Sequence, residues 1–138
     1  MSNESCFSMR VVNYGSTGYI GYTKGGDSYN NPTLYQSGNG SNWTKITSSV
    51  ANNPTQGGGG LDIAVSSAGE LHAAYVQGSS MLIKKYVNSS WVTIPNCNTT
   101  ASFTAAGAQN PYVLPGLDFC YIVYSDASNI YIKKWKKQ

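Results

Sequence analysis

Short apolar runs recur along the whole chain, separated by clusters of Gly, Asn and Ser. The clearest stretch begins Leu61-Asp62-Ile63-Ala64-Val65, turns through Ser66-Ser67-Ala68-Gly69-Glu70, and continues as Leu71-His72-Ala73-Ala74-Tyr75. After Gly78-Ser79-Ser80 come Met81-Leu82-Ile83-Lys84-Lys85-Tyr86, a further polar turn, and Trp91-Val92-Thr93-Ile94. Runs of this length between turn-forming residues predict four short strands joined by tight turns. The next stretch repeats the pattern. Tyr75 is matched by Tyr124, 49 positions later (124 − 75). At the same offset, Ile83-Lys84-Lys85-Tyr86 is matched by Ile132-Lys133-Lys134-Trp135. An earlier stretch fits more loosely: Tyr19-Ile20-Gly21-Tyr22 as second strand, Thr33-Leu34-Tyr35 as third, and Trp43-Thr44-Lys45-Ile46 as fourth. Trp43 and Trp91 stand 48 apart, Tyr22 and Tyr75 stand 53 apart, and an insertion around Gly25 to Asn31 accounts for the difference.

A repeat of this period with four strands per unit predicts an all-β chain of three four-stranded antiparallel sheets, a single domain over residues 1–138. The units run over about residues 9–50, 60–97 and 108–138. Ala73-Ala74, Ile20-Gly21 and Ile122-Val123 fall at matching places and are small or apolar on both sides of the strand. That absence of alternation is what a sheet covered on both faces requires. The Tyr-ending second strand, the Lys-bearing third strand and the Asn-Ser-Ser-Trp turn together resemble bacterial β-propeller repeats of cell-surface and lectin-like proteins, over about residues 9–138. The signature residues of WD40 blades are absent. Ser37-Gly38-Asn39-Gly40-Ser41-Asn42-Trp43 resembles the Asp-box of sialidase-type blades, but it has no Asp and is one residue short, so it is read as a turn followed by a packing Trp.

The resemblance implies self-association. Propellers typically hold about 4–8 blades, so three cannot close a ring and two copies of the chain can. A six-bladed homodimer is the expected assembly, and an open arc would leave two apolar faces wet. The third unit stops after its third strand; residues 1–8, through Ser5-Cys6-Phe7-Ser8, are candidates to supply its outer strand in a neighbouring chain.

Composition narrows the function. Charged residues are only 11% of the chain, against about 25% in ordinary domains, so Ser, Thr, Asn, Gly and Tyr must cover the surface. The net charge of +3 comes from clustered lysines, Lys84, Lys85, Lys133, Lys134, Lys136 and Lys137. They read as outer-strand charges that discourage edge pairing, and nucleic acid is not an expected partner. No run approaches the ~20 apolar residues of a membrane helix, and Met1–Ser5 lacks a signal-peptide core. The chain is therefore expected in solution, cytosolic or already processed. Cys6, Cys97 and Cys120 match no metal spacing; free thiols are expected, with a Cys6 link between chains open in an oxidising compartment.

Catalytic candidates are few. His72 is the sole histidine, and the matching positions are Tyr19 and Tyr121, so packing is expected of it. The acids are Glu4, Asp27, Asp62, Glu70, Asp118 and Asp126. Asp62 with Glu70, or Asp118 with Asp126, could face one another across a hairpin as a glycosidase pair would. The units share no acidic position, so each acid is read as a turn or strand-end residue. Arg10 is the sole arginine, too few for recognition of an acidic sugar. Gly57-Gly58-Gly59-Gly60 lacks the Lys-Ser/Thr of a phosphate loop and is read as a connector. No cofactor or metal is expected, and the chain is not expected to be an enzyme. Glycosylation sequons such as those at Asn42, Asn88 and Asn98 are readily met by chance in so Asn-rich a chain.

Eleven Tyr and three Trp remain. Aromatic rings stack on the C–H faces of sugars, and repeated units would offer repeated sites with gains in avidity. Trp43, Trp91, Trp135, Tyr35, Tyr86 and Tyr29 are the candidate ligand-binding residues of a multivalent carbohydrate-binding protein. A protein-interaction or structural scaffold is the alternative, and a glycosidase-like enzyme ranks last.

Overall fold

The computed structural model describes residues 6–24, 32–46, 60–77, 80–94, 109–116, 119–125 and 128–136. They form an all-β protein of three antiparallel sheets, each a simple up-and-down meander. The first sheet holds β1 (Cys6–Tyr14), β2 (Thr17–Lys24), β3 (Pro32–Ser37) and β4 (Thr44–Lys45) in that order. The second holds β5 (Leu61–Val65), β6 (Leu71–Gln77), β7 (Ser80–Val87) and β8 (Ser90–Thr93), again in chain order. The third holds β9 (Gln109–Pro115), β10 (Phe119–Ser125) and β11 (Ile130–Lys136). No helix among the described residues is long and apolar enough to cross a membrane.

The sheets stack face to face in chain order. Leu34, Ile46, Leu61, Ile63, Leu71, Ala73 and Tyr75 form one buried cluster between the first two sheets. Ala74, Ile83, Ile94, Val113, Cys120, Ile122 and Tyr124 form another between the second and third. The middle sheet is thus covered on both faces. Its strand β6 is buried at five consecutive positions, Leu71 to Tyr75, although side chains alternate between faces. In β10 the burial alternates instead, because only one face of the third sheet is covered. We call the face that meets the preceding sheet the front and the face that meets the following sheet the back.

Register makes the repeat explicit. Ile63↔Ala73 in the second sheet corresponds to Val11↔Ile20 in the first and Val113↔Ile122 in the third. Ala74↔Ile83 corresponds to Gly21↔Leu34 and Val123↔Ile132. The front tyrosines behave alike. Lys84 lies 5.8 Å from the ring of Tyr75, Lys133 lies 6.0 Å from that of Tyr124, and Tyr35 stacks on Tyr22 at 6.2 Å. Burial lowers the Lys84 ammonium from its usual range and raises the Tyr75 phenol.

Gly21 marks the closest approach of the first two sheets. A Cβ there would sit 3.2 Å from Ile63 Cγ2 and from Leu61 Cδ2. Gly21→Val is expected to destabilise by about 1–3 kcal/mol through overpacking, read by denaturant titration.

The first sheet differs from its expected limits. β1 reaches back to Cys6, and Cys6 and Phe7 pair with Lys24 and Thr23 of their own sheet. A register shift between Phe7 and Arg10, with Ser8 at φ 52°, breaks the alternation and hides the strand's beginning in the sequence. The segment considered for loan to a neighbour therefore has Cys6 to Ser8 within β1. Residues 1–5, the insertion around Gly25 to Asn31, the connector Gly57 to Gly59, Cys97, Asn98 and Lys137 lie outside the described residues. Trp43 and Ile46 flank the short β4 rather than lying in it.

Candidate functional site

The six candidate aromatics fall into different surroundings. Trp43 sits on the loop between β3 and β4 and is exposed at the front of the first sheet, with Cη2 3.2 Å from where a Gly18 Cβ would be. The loop is held by its own side chains. Ser37 Oγ accepts from Gly40 N at 2.9 Å, and Asn39 Oδ1 accepts from Ser41 N and Asn42 N at 3.0 Å each. Trp43 Nε1 then donates to Gly40 O at 3.2 Å, fixing the indole. The sequence gives no acidic signal for Asn39, yet its amide oxygen accepts hydrogen bonds as a carboxylate would. Asn39→Ala should cost about 1 kcal/mol and red-shift or broaden Trp43 emission as the loop loosens, checked by fluorescence-monitored unfolding.

Trp91 occupies the corresponding place in the second sheet, after the Asn88-Ser89 turn, whose two residues have φ 48° and 62°. It is partly buried, packs with Tyr86 at 5.2 Å between ring centres, and both lie against the cluster between the first two sheets. Its Nε1 is buried with no hydrogen-bond partner among the described residues. Tyr35 is partly buried in its stack on Tyr22. Trp135 lies in β11 opposite Cys120, and Tyr29 lies outside the described residues. The fold thus pairs Tyr86 with Trp91, and it sets Trp43 and Trp91 at equivalent points on successive sheets.

No family model matches the chain. No curated protein matches it either.

Asp62, Glu70 and His72 each make contacts within the framework. Asp62 is the second residue of β5, opposite Ala74. Its Oδ1 accepts from Arg10 Nε at 3.1 Å and its Oδ2 from Val113 N at 2.8 Å, so one carboxylate ties β5 to β1 and β9 and joins all three sheets. Arg10 also lies 5.1 Å from the ring centre of Tyr112. Burial raises the Asp62 pKa, and the bonds from Val113 and the charge of Arg10 partly oppose that. Glu70 pairs with Lys85 at 3.1 Å, and its backbone carbonyl accepts from Ser66 N. The two carboxylates considered as a pair thus have separate partners, Arg10 and Val113 for Asp62 and Lys85 for Glu70. Glu4, Asp27, Asp118 and Asp126 lie outside the described residues.

His72 is fully buried on the back of the second sheet, and its Nδ1 lies 2.9 Å from Glu70 O. Cys120 is buried in the cluster between the second and third sheets. Among the described residues no cluster of His, Cys, Asp and Glu could hold a metal ion. Lys84 and Lys85 point to opposite faces, Lys84 toward Tyr75 and Lys85 toward Glu70.

Proposed function

We propose that the three sheets are blades of a β-propeller completed by a second copy of the chain, and that the assembly is a non-catalytic, multivalent carbohydrate-binding protein. The observation that carries the ligand side of this reading is the equivalence of Trp43 and Trp91. Two indoles stand at one register position on successive sheets, each partly exposed, and the first is held rigid by the Ser37–Trp43 loop. A rigid ring loses little entropy on stacking against a sugar face, and its repetition supports avidity. A polar surface rich in Asn and Ser supplies hydroxyl-binding groups around them.

A glycan array at high protein concentration tests the proposal. Binding to at least one glycan class is expected, and Trp43→Ala or Trp91→Ala should weaken it about tenfold or more, equivalent to about 1.4 kcal/mol. No binding to any glycan, or binding untouched by both substitutions, would remove the carbohydrate role. The second reading is a structural or protein-interaction scaffold, favoured by the exposed apolar side chains on the two terminal sheets.

A further inference from the structure

We infer that the chain docks head to tail on a second copy of itself, the back of the third sheet of each copy covering the front of the first sheet of the other. This deepens the propeller reading above and rests on it. The molecule already contains the proposed interface twice, between its first and second and its second and third sheets. Each equivalent position can be compared across covered and uncovered sheets.

On the front, Ile63 and Val113 are 2% and 1% exposed where a preceding sheet covers them, and the equivalent Val11 is 59% exposed. On the back, Leu34 and Ile83 are 2% and 0% exposed beneath a following sheet, and the equivalent Ile132 is 70% exposed. Ala64 packs against the following sheet's cluster, while Leu114, in the same register one sheet later, is 59% exposed. The residue types persist where the cover does not. Such side chains at all three repeats are explained if the outer positions are covered too, and sheets of this chain are the surfaces they already fit.

Polarity chooses the partner. A back face packs on a front face in both internal junctions, and among the described sheets the first presents the one uncovered front and the third the one uncovered back. Front-to-back docking is heterologous, and two copies of three sheets close at six blades, inside the typical range of about 4–8. Lys134 does not obstruct it. It covers Phe119 at 3.7 Å on the third sheet's back, and its equivalent Lys85 keeps solvent exposure while paired with Glu70 beside a covered face.

The test is sedimentation equilibrium on the wild-type chain, on Val11→Lys, on Leu114→Glu, and on an equimolar mixture of the two variants. Circular dichroism reports folding, and Val11→Ser and Leu114→Ser serve as milder substitutes if either charged variant fails to fold. The wild type should have twice the chain mass. Each charged variant alone should raise the dissociation constant about 100-fold or more, since two like charges would enter a ring. Mixing should restore the dimer, because a mixed ring has one unaltered junction and one with Lys facing Glu. A wild type of one chain mass, or of more than two, overturns the proposal. So does a dimer insensitive to either variant, or one broken by a single variant and not rescued by mixing, the mark of a back-to-back or front-to-front contact. Glycan binding by a monomeric wild type would overturn the docking and leave the carbohydrate role standing. A two-chain assembly without glycan binding would do the reverse.

Discussion

Ile83→Ala is expected to lower the free energy of unfolding by about 2–5 kcal/mol, the range for removing a large aliphatic side chain from a closed core. Ile83 is fully buried in the cluster with Ala74, Ile122 and Tyr124, between the second and third sheets. Neither sheet can move inward without breaking its own ladder, so the cavity should collapse little. Ile132→Ala provides an internal control. It removes the same atoms at the same register position, one repeat later, where the side chain is mostly exposed. Within an isolated chain its cost should stay under about 1 kcal/mol, since little area leaves water there. Chemical denaturation of both variants at low concentration gives the comparison. Equal losses would mean that the two strands are not equivalent in the way described.

Asp62→Ala is the second large effect. The substitution deprives Val113 N–H of its acceptor inside the junction of three sheets and leaves Arg10 without its carboxylate. An orphaned buried backbone donor costs about 1–3 kcal/mol. Arg10 is nearly a third exposed and can rehydrate, so its share is small, and a total of about 2–3 kcal/mol is expected. Asp62→Asn should lose less, because an amide oxygen can still accept from Val113.

The pH dependence separates the two terms. Burial raises the folded-state pKa of Asp62 above its ordinary 3.8. The folded state therefore holds the proton more tightly than the unfolded chain. This group's contribution is fully present below about pH 3.8, its unfolded value, and is lost as pH rises through the raised folded value. Subtracting the Asp62→Asn profile from that of the wild type should leave a component that falls with rising pH in that window. A component that rises there would mean that Arg10 and Val113 outweigh the burial.

The repeat was legible because strands at equivalent places carry equivalent demands. Tyr75 and Tyr124 share a front position, and Lys84 and Lys133 share the place above their rings, so the same residue types recur at one offset. The small pair Ala73-Ala74 announced two-sided cover of the middle sheet, whereas the matching Ile122-Val123 lies in a sheet covered on one face, where burial alternates. What stayed hidden was non-local or irregular. Asp62 looks like a strand-end acid until Arg10 and Val113, both about 50 residues away in sequence, arrive beside it. The start of β1 is masked by its register shift. Asn39 acts through bonds to Ser41 and Asn42 that a missing Asp seemed to exclude. Of the candidate binding residues, Trp43 and Trp91 gained an equivalence in space, whereas Tyr35 and Tyr86 are engaged by Tyr22 and Trp91.

Face-to-face stacking of like sheets in chain order underlies all of this, and proton NMR reads it without any variant. Strong cross-relaxation is expected between the Gly21 Hα protons and the methyl groups of Leu61 and Ile63, which a Cβ on Gly21 would crowd. A folded chain in which Gly21 shows no contact with either residue would contradict the stacking of the first sheet on the second.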